Sequence, residues 1–172
     1  MRLFMISGAC GSGKSTMKDA LTEIMNPARY ACIDIDEVGF YWCDYAGTDH
    51  EFKYHDDCIA EAVKRAGDRD LIFVSCTNPQ DFIGKHVLPE EVDSTVFIIL
   101  NPTDEAIWAR LRARPAERGF TSDDKIEPHV GYNQWFRRNR GKFPLVIDNT
   151  DQTIDETAAI IKRFAESFRG SE

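Results

Sequence analysis

Five short apolar runs punctuate the chain, at residues 3–6 (LFMI), 31–35 (ACIDI), 71–74 (LIFV), 96–100 (VFIIL) and 145–147 (LVI). Continuous rather than alternating apolar runs suit strands buried on both faces, and the intervals between them are long enough for helices. The pattern predicts an α/β fold, a mostly parallel sheet with helices on each side. Two helices are visible in the spacing. Met17, Ala20, Leu21 and Ile24 follow the first run at helical intervals, and Ile154, Ala158, Ile161, Ala165 and Phe168, at steps of four, three, four and three, form one stripe after the turn Asn149-Thr150-Asp151. Residues 114–124, with Pro115, Gly119, Thr121 and Ser122, read as a loop. No internal repeat, low-complexity tract or interdomain linker interrupts the 172 residues, so one domain spanning 1–172 is expected.

Composition narrows the class. Apolar residues at 42 % and charged residues at 29 % are those of a globular chain with a single core, and exclude collagen-like and disordered readings. The five cysteines, Cys10, Cys32, Cys43, Cys58 and Cys76, are odd in number and form no C-x-x-C pair, which fits neither a disulfide framework nor a zinc site. A reducing, cytoplasmic setting is the expectation. No apolar run approaches the ~20 residues of a membrane span, and no membrane partner is expected. The net charge of −8 argues against long nucleic acid, which is bound through excess Lys and Arg. That charge is unevenly placed: from Arg110 to Lys142 there are nine Lys/Arg against four Asp/Glu, +5, and the remainder has 12 against 25, −13.

Directly after the first run stands Gly8-Ala9-Cys10-Gly11-Ser12-Gly13-Lys14-Ser15-Thr16, which satisfies G-x-x-x-x-G-K-[S/T] between a strand and a helix. Glycines bring backbone N–H groups around phosphate oxygens, and the helix N-terminus adds its positive dipole end. Lys14 is placed to reach the β- and γ-phosphates and the Ser15 hydroxyl to ligate Mg²⁺, so ATP and Mg²⁺ are the expected cofactors. Cys10 lies inside the loop, where it is either a redox-sensing thiol or a tolerated variable position.

The loop alone does not select between switches, motors and kinases. The third and fourth runs end without the acid that many motors and GTPases use to hold the metal shell, and the guanine-reading Asn-Lys-x-Asp is absent. The second run instead carries Asp34 and Asp36, and period two on a strand sends both carboxylates to one face at the edge where open α/β sheets bind ligands. On this reading Asp34 orients metal-bound water and Asp36 takes the proton of an acceptor hydroxyl; the alternative is that both acids cap the following helix, Asp36 as its N-cap. The basic segment supplies arginines. Arg110 and Arg114 are placed at i, i+4 on one helical face, Arg118 follows in the loop, and Arg137, Arg138 and Arg140 return on a later helix, a set suited to closing on a triphosphate. The other face of such a site is the least legible. Phe40, Tyr41, Trp42 and Tyr45 either stack a base or pack a helix, and Arg29, His50, Tyr54, His55, Asn78 and His129 are further candidates for acceptor contact.

These residues resemble the small P-loop kinases, the group of adenylate, shikimate and gluconate kinases and related nucleoside and nucleotide phosphotransferases. Gly8-x-x-Gly11-x-Gly13-Lys14-Ser15-Thr16 is the group's loop, Arg110-x-x-x-Arg114 with Arg118 looks like its lid entry, and Asp34-x-Asp36 resembles the shikimate and gluconate branch. The resemblance implies a three-layer α/β/α fold on a five-stranded parallel sheet of order 2-3-1-4-5, with a mobile lid at about 114–124. It also implies Arg110 stacked on adenine, Arg114 and Arg118 on phosphates, the backbone at Asn149-Thr150-Asp151 along the adenine, and transfer of the γ-phosphate of MgATP to a small-molecule acceptor. The nucleotide kinases' Asp-Gly-x-Pro-Arg after the third strand is replaced by Cys76-Thr77-Asn78-Pro79, and the Thr-Asn pair is similar to polynucleotide-kinase-like members. A polynucleotide 5′-end kinase and a nucleotide-dependent switch are the competing readings.

Overall fold

The computed structural model describes residues 1–77, 79 and 87–168. Among them the five apolar runs become strands β1 (Arg2–Ser7), β2 (Tyr30–Asp34), β3 (Asp70–Val74), β4 (Ser94–Leu100) and β5 (Leu145–Ile147). All neighbouring pairs are parallel, in the expected order β2-β3-β1-β4-β5. Among the described residues five helices of nine residues or more flank them, α1 (Lys14–Ile24), α2 (Tyr54–Ala66), α3 (Asp104–Arg112), α4 (Asp123–Arg138) and α5 (Ile154–Ser167), and a single helical turn, Trp42–Tyr45, precedes α2.

The two-residue period of β1 explains the three layers. Leu3 and Met5 point to one face, where Leu71, Phe73 and Ile99 join Ile59, Ala62 and Val63 of α2 and Phe136 of α4. Phe4 and Ile6 point to the other, where Ile72, Val74, Ile98 and Leu100 meet Met17 and Leu21 of α1 and Ala158, Ile161 and Ala165 of α5. A third cluster, Ala9, Ile107, Leu111, Ile126 and Val130, ties the loop after β1 to α3 and α4. Register then brings the strand ends level: Ile6 and Asp34 both pair with Val74, Ser7 pairs with Ile99, and Leu100 with Ile147. Whatever follows each strand is delivered to one edge.

Three local expectations are corrected. β2 stops at Asp34, and residues Ile35–Glu37 form a 3₁₀ turn, so Asp36 is not on the strand. The cause is a capping box: the Asp34 carboxylate accepts from the Asp36 N–H at 3.1 Å while the Glu37 carboxylate accepts from the Asp34 N–H at 3.2 Å. Asp34, not Asp36, is the cap. The helix carrying Arg110 ends at Arg112, with Arg114 beyond it on the way to Pro115. In α5 the buried stripe starts one turn late, because Ile154 opens the helix and stays 49 % exposed, and Phe168 caps the helix from outside while its ring packs edge-on against Phe4.

At the opposite end of the sheet from the strand termini, Arg2 clamps β1 to β3. Its N–H and Nε donate to the Asp70 carboxylate at 2.8 and 3.0 Å. Burial pushes the Asp70 carboxyl up, but the hydrogen bonds and charge of Arg2 outweigh it and hold it below the ordinary value. A depressed acid stabilises the fold above its unfolded value and loses that contribution as pH falls through the folded one. Asp70→Asn is therefore expected to cost about 1–3 kcal/mol near neutrality, and the gap to the parent protein should close below about pH 4. Denaturant unfolding at several pH values measures both.

Candidate phosphate-binding site

The carbonyls of the loop between β1 and α1 are taken up by donors of the protein itself. Lys14 Nζ donates to the carbonyls of Gly8 and Ala9 at 2.7 and 3.0 Å, and the Ser12 N–H also donates to Ala9 at 3.1 Å. Arg110 Nη1 donates to the Gly11 carbonyl at 3.3 Å, and Asn149 Nδ2 to that of Ser12 at 2.9 Å. The first-turn amides of α1 have no intrahelical acceptor and remain available to an anion. Two positions admit only glycine. A Cβ on Gly8 would stand 2.5 Å from the Leu100 carbonyl and 2.7 Å from Ser12 Oγ, and Gly13, the N-cap of α1, has φ +100°. The buried Ser12 Oγ and Asn149 Oδ1 lack a hydrogen-bond partner, so the loop retains polar capacity of the kind a phosphate-bearing ligand satisfies.

A cavity of about 300 Å³ opens above the loop. Lys14, Ser15, Asp34, Asp36, Arg114 and Arg118 all line it, together with Gly11, Gly13, Thr16, Cys10, Ser75 and Cys76. The strand edge brings Asp34 there, and the 3₁₀ turn swings Asp36 into the same space by a route that β periodicity did not foresee. Burial pushes the Asp34 carboxyl up, with the Asp36 amide and the Ser15 hydroxyl pulling the other way. Burial also pushes the Lys14 ammonium down, against the opposing pull of the Cys10 and Cys76 thiols. Both groups sit in surroundings that disfavour their charged forms.

On the other side of the loop a second cavity of about 330 Å³ is bordered by Gly11, Gly13, Thr16, Arg110, Arg114, Asn149 and Thr153 among others. Arg110 spans it, donating to the Asn149 carbonyl at 3.1 Å as well as to Gly11. Arg114 borders both cavities, so the face shared with Arg110 survives although the helix ends between them. Ahead of α4, residues Ala116–Arg118 form a single 3₁₀ turn closed by Gly119 at φ +82°, and Phe120 packs under the Arg114 guanidinium and against the His129 ring.

The structure does not gather every predicted residue. Arg112 pairs with Asp123, and Arg137 donates to Asp104 and the Pro102 carbonyl, bracing α4 against the start of α3; Arg138 and Arg140 close that far end of α4 and border neither cavity. Arg29 precedes β2 at the opposite end of the sheet, over the Tyr30 ring. His50 is exposed, and Asn78 lies outside the described residues. His55 is hydrogen-bonded to Thr77 Oγ1 at 3.0 Å, and Thr77 to Ser75 Oγ at 2.5 Å. The aromatic group divides: Phe40 and Tyr45 pack on the core, whereas Tyr41 and Trp42 are 62 % and 47 % exposed. Two side chains went unrecognised in the sequence. Asn149 was visible only as a turn residue, and Asn133, buried on α4, donates to Asp104 and the Pro102 carbonyl and accepts from Asn101; a polar residue on the apolar face of a helix was the available signal.

A carboxyl raised by burial costs folding stability once pH exceeds its folded value and costs nothing below its unfolded one. Asn retains the capping acceptor of Asp34 without the charge. Asp34→Asn is expected to raise the denaturation midpoint at pH 7–8, with the gain vanishing as pH falls below about 4; thermal unfolding across that range checks it.

No family model and no curated protein matches the sequence. Solved structures do match in shape. A shikimate kinase from Acinetobacter baumannii in complex with shikimate superposes with a TM-score of 0.62 at 15 % identity, covering 97 % of this chain and 94 % of that one. A deoxyadenosine kinase from M. mycoides gives 0.55 at 15 % identity, covering 98 % and 100 %, and a sugar kinase from Janibacter sp. gives 0.61 at 16 %, covering 96 % and 95 %. At such identities the likeness is one of fold: this chain has the three-layer α/β/α fold of the small P-loop kinases.

Proposed function

We propose that the protein is a phosphotransferase that moves the γ-phosphoryl group of MgATP to a hydroxyl of a small-molecule acceptor. The observation that carries this reading is convergence: the loop lysine and serine, two carboxylates and two arginines from three separate segments line one cavity of about 300 Å³.

The residues divide the work. Gly8, Gly11, Ser12, Gly13 and Thr16 shape the loop and α1 N-terminus around the phosphates. Arg110, already fixed on the Gly11 and Asn149 carbonyls, flanks the second cavity, where the nucleotide base fits. Ser15 and Asp34 would hold Mg²⁺, an oxygen-only set of the kind that ion takes. When bound, the ion neutralises charge on the β- and γ-phosphate oxygens. Lys14, Arg114 and Arg118 stabilise the charge that spreads over the transferring group, and with water excluded each is worth more than in solution. Asp36, farther from the loop on its own turn, accepts the proton of the attacking hydroxyl. The segment 114–124 acts as a lid over the reactants, excluding water as it carries Arg114 and Arg118 inward.

Titrating a panel of hydroxylated metabolites and nucleosides against ATP consumption tests the reading. Acceptor-stimulated turnover above basal hydrolysis is expected, and its absence across the panel would overturn the assignment. Lys14→Ala should abolish turnover. Asp36→Asn should lower kcat by about 10²–10⁴-fold while nucleotide affinity changes little, and unchanged turnover would remove Asp36 from the role of base.

A further inference from the structure

The arginines at the end of α3 are fixed in different ways. Arg110 donates to the carbonyls of Gly11 and Asn149, and Arg112 is paired with Asp123. Arg114 is held by a ring: its guanidinium lies over Phe120, 5.3 Å from the ring centroid. The distinction matters for a side chain that borders both the phosphate cavity and the second one. A carboxylate would take N–H donors of the guanidinium and cancel its charge, whereas a ring face attracts the cation through its quadrupole and leaves the donors to other oxygens. Held by a ring, Arg114 keeps its charge and its donors for an anion.

Phe120 is placed to do this from outside the site. It meets Arg114 in the wall of a separate hollow of about 410 Å³, which Ala116, Ser122 and Ile126 also line, while Arg114 enters the walls of the other two cavities without it. The ring follows Gly119, whose φ of +82° closes the 3₁₀ turn, and it packs on the cluster of Ala9, Ile107, Leu111, Ile126 and Val130. Ala9 belongs to the phosphate loop, so the ring and the loop share one footing. The His129 ring of α4 adds an edge-on contact at 5.3 Å and 68°. Burial, and then the charges of Lys14 and Arg114, push the His129 imidazolium down, so this ring is neutral near pH 7 and sets no like charge beside Arg114. A long side chain just past a helix end loses conformational entropy when it is ordered, and a contact made beforehand meets part of that loss before the reaction begins.

We infer that Phe120 is a positioning residue, holding Arg114 with the support of His129 so that the guanidinium is in place when the γ-phosphoryl group transfers. The inference rests on the phosphotransferase reading and adds to it a residue that acts only through Arg114.

The test is a double-mutant cycle on the full-length protein with MgATP and whichever metabolite or nucleoside gives the highest turnover. Phe120→Leu keeps apolar bulk in the cluster and removes the ring face, so kcat should fall about 5–30-fold while MgADP affinity, measured by titration calorimetry, is retained. Phe120→Tyr keeps the ring and should restore kcat. Added to Arg114→Ala, Phe120→Leu should change kcat by less than about twofold, because the ring then has nothing to hold. His129→Ala should lower kcat by about 2–5-fold and likewise lose its effect beside Arg114→Ala. Phe120→Met serves the same comparison should the leucine variant unfold below the assay temperature. An unchanged kcat in Phe120→Leu, a loss that Phe120→Tyr does not restore, or equal fold losses with and without Arg114 would overturn the positioning inference and leave the phosphotransferase standing. No acceptor-stimulated turnover by the parent protein would overturn both.

Discussion

Everything at the site depends on satisfying the carbonyls of one glycine-rich loop. A loop that offers amides to an anion must dispose of its own oxygens, and each unpaired buried carbonyl would cost a few kcal/mol. Here one donor is local, Lys14 from the adjoining helix, and two come from distant parts of the chain, Arg110 from α3 and Asn149 from beyond β5. Ala9 is meanwhile buried among Ile107 and Leu111. The third core cluster and the parallel register therefore serve the same end, bringing donors and packing to a loop that cannot hold its shape alone.

The same requirement explains how the basic segment is used. Of its arginines, Arg110 fixes the loop, Arg114 and Arg118 face the cavity, and Arg112 and Arg137 are paired with acids that hold α3 and α4 in place. Local charge density thus supplied two different functions. Which arginine serves which is set by where α3 stops, since the end of the helix at Arg112 turns Arg114 back over the loop while Arg112 faces Asp123. The acidic remainder is divided in the same way, with Asp70 and Glu37 in structural contacts and Asp34 and Asp36 in the cavity.

Asp34 and Lys14 show the energetic cost of readiness. Each is buried where its charged form is disfavoured, and a cation beside Asp34 or an anion beside Lys14 would relieve that cost. The Asp34 capping box adds a positional function. By ending β2 it puts Asp36 on a turn in the cavity wall.

The sequence by itself determined the layered α/β class, the strand order through the resemblance of its motifs, the phosphate loop and the basic segment over it. These are local properties: continuous apolar runs, a glycine-lysine-serine spacing and a clustering of like residues survive without knowledge of the fold. Tertiary structure decided the rest. Whether Asp36 shares a face with Asp34 depended on a capping box that competes with strand extension, and whether an arginine faces the cavity or a carboxylate depended on a helix terminus. The side-chain amide of Asn149 and the exposure of Trp42 beside a buried Tyr54 depended on contacts across 137 and 12 positions of chain. Such contacts form when strand ends are brought level and helices are laid across them, and no periodicity within a short window encodes that.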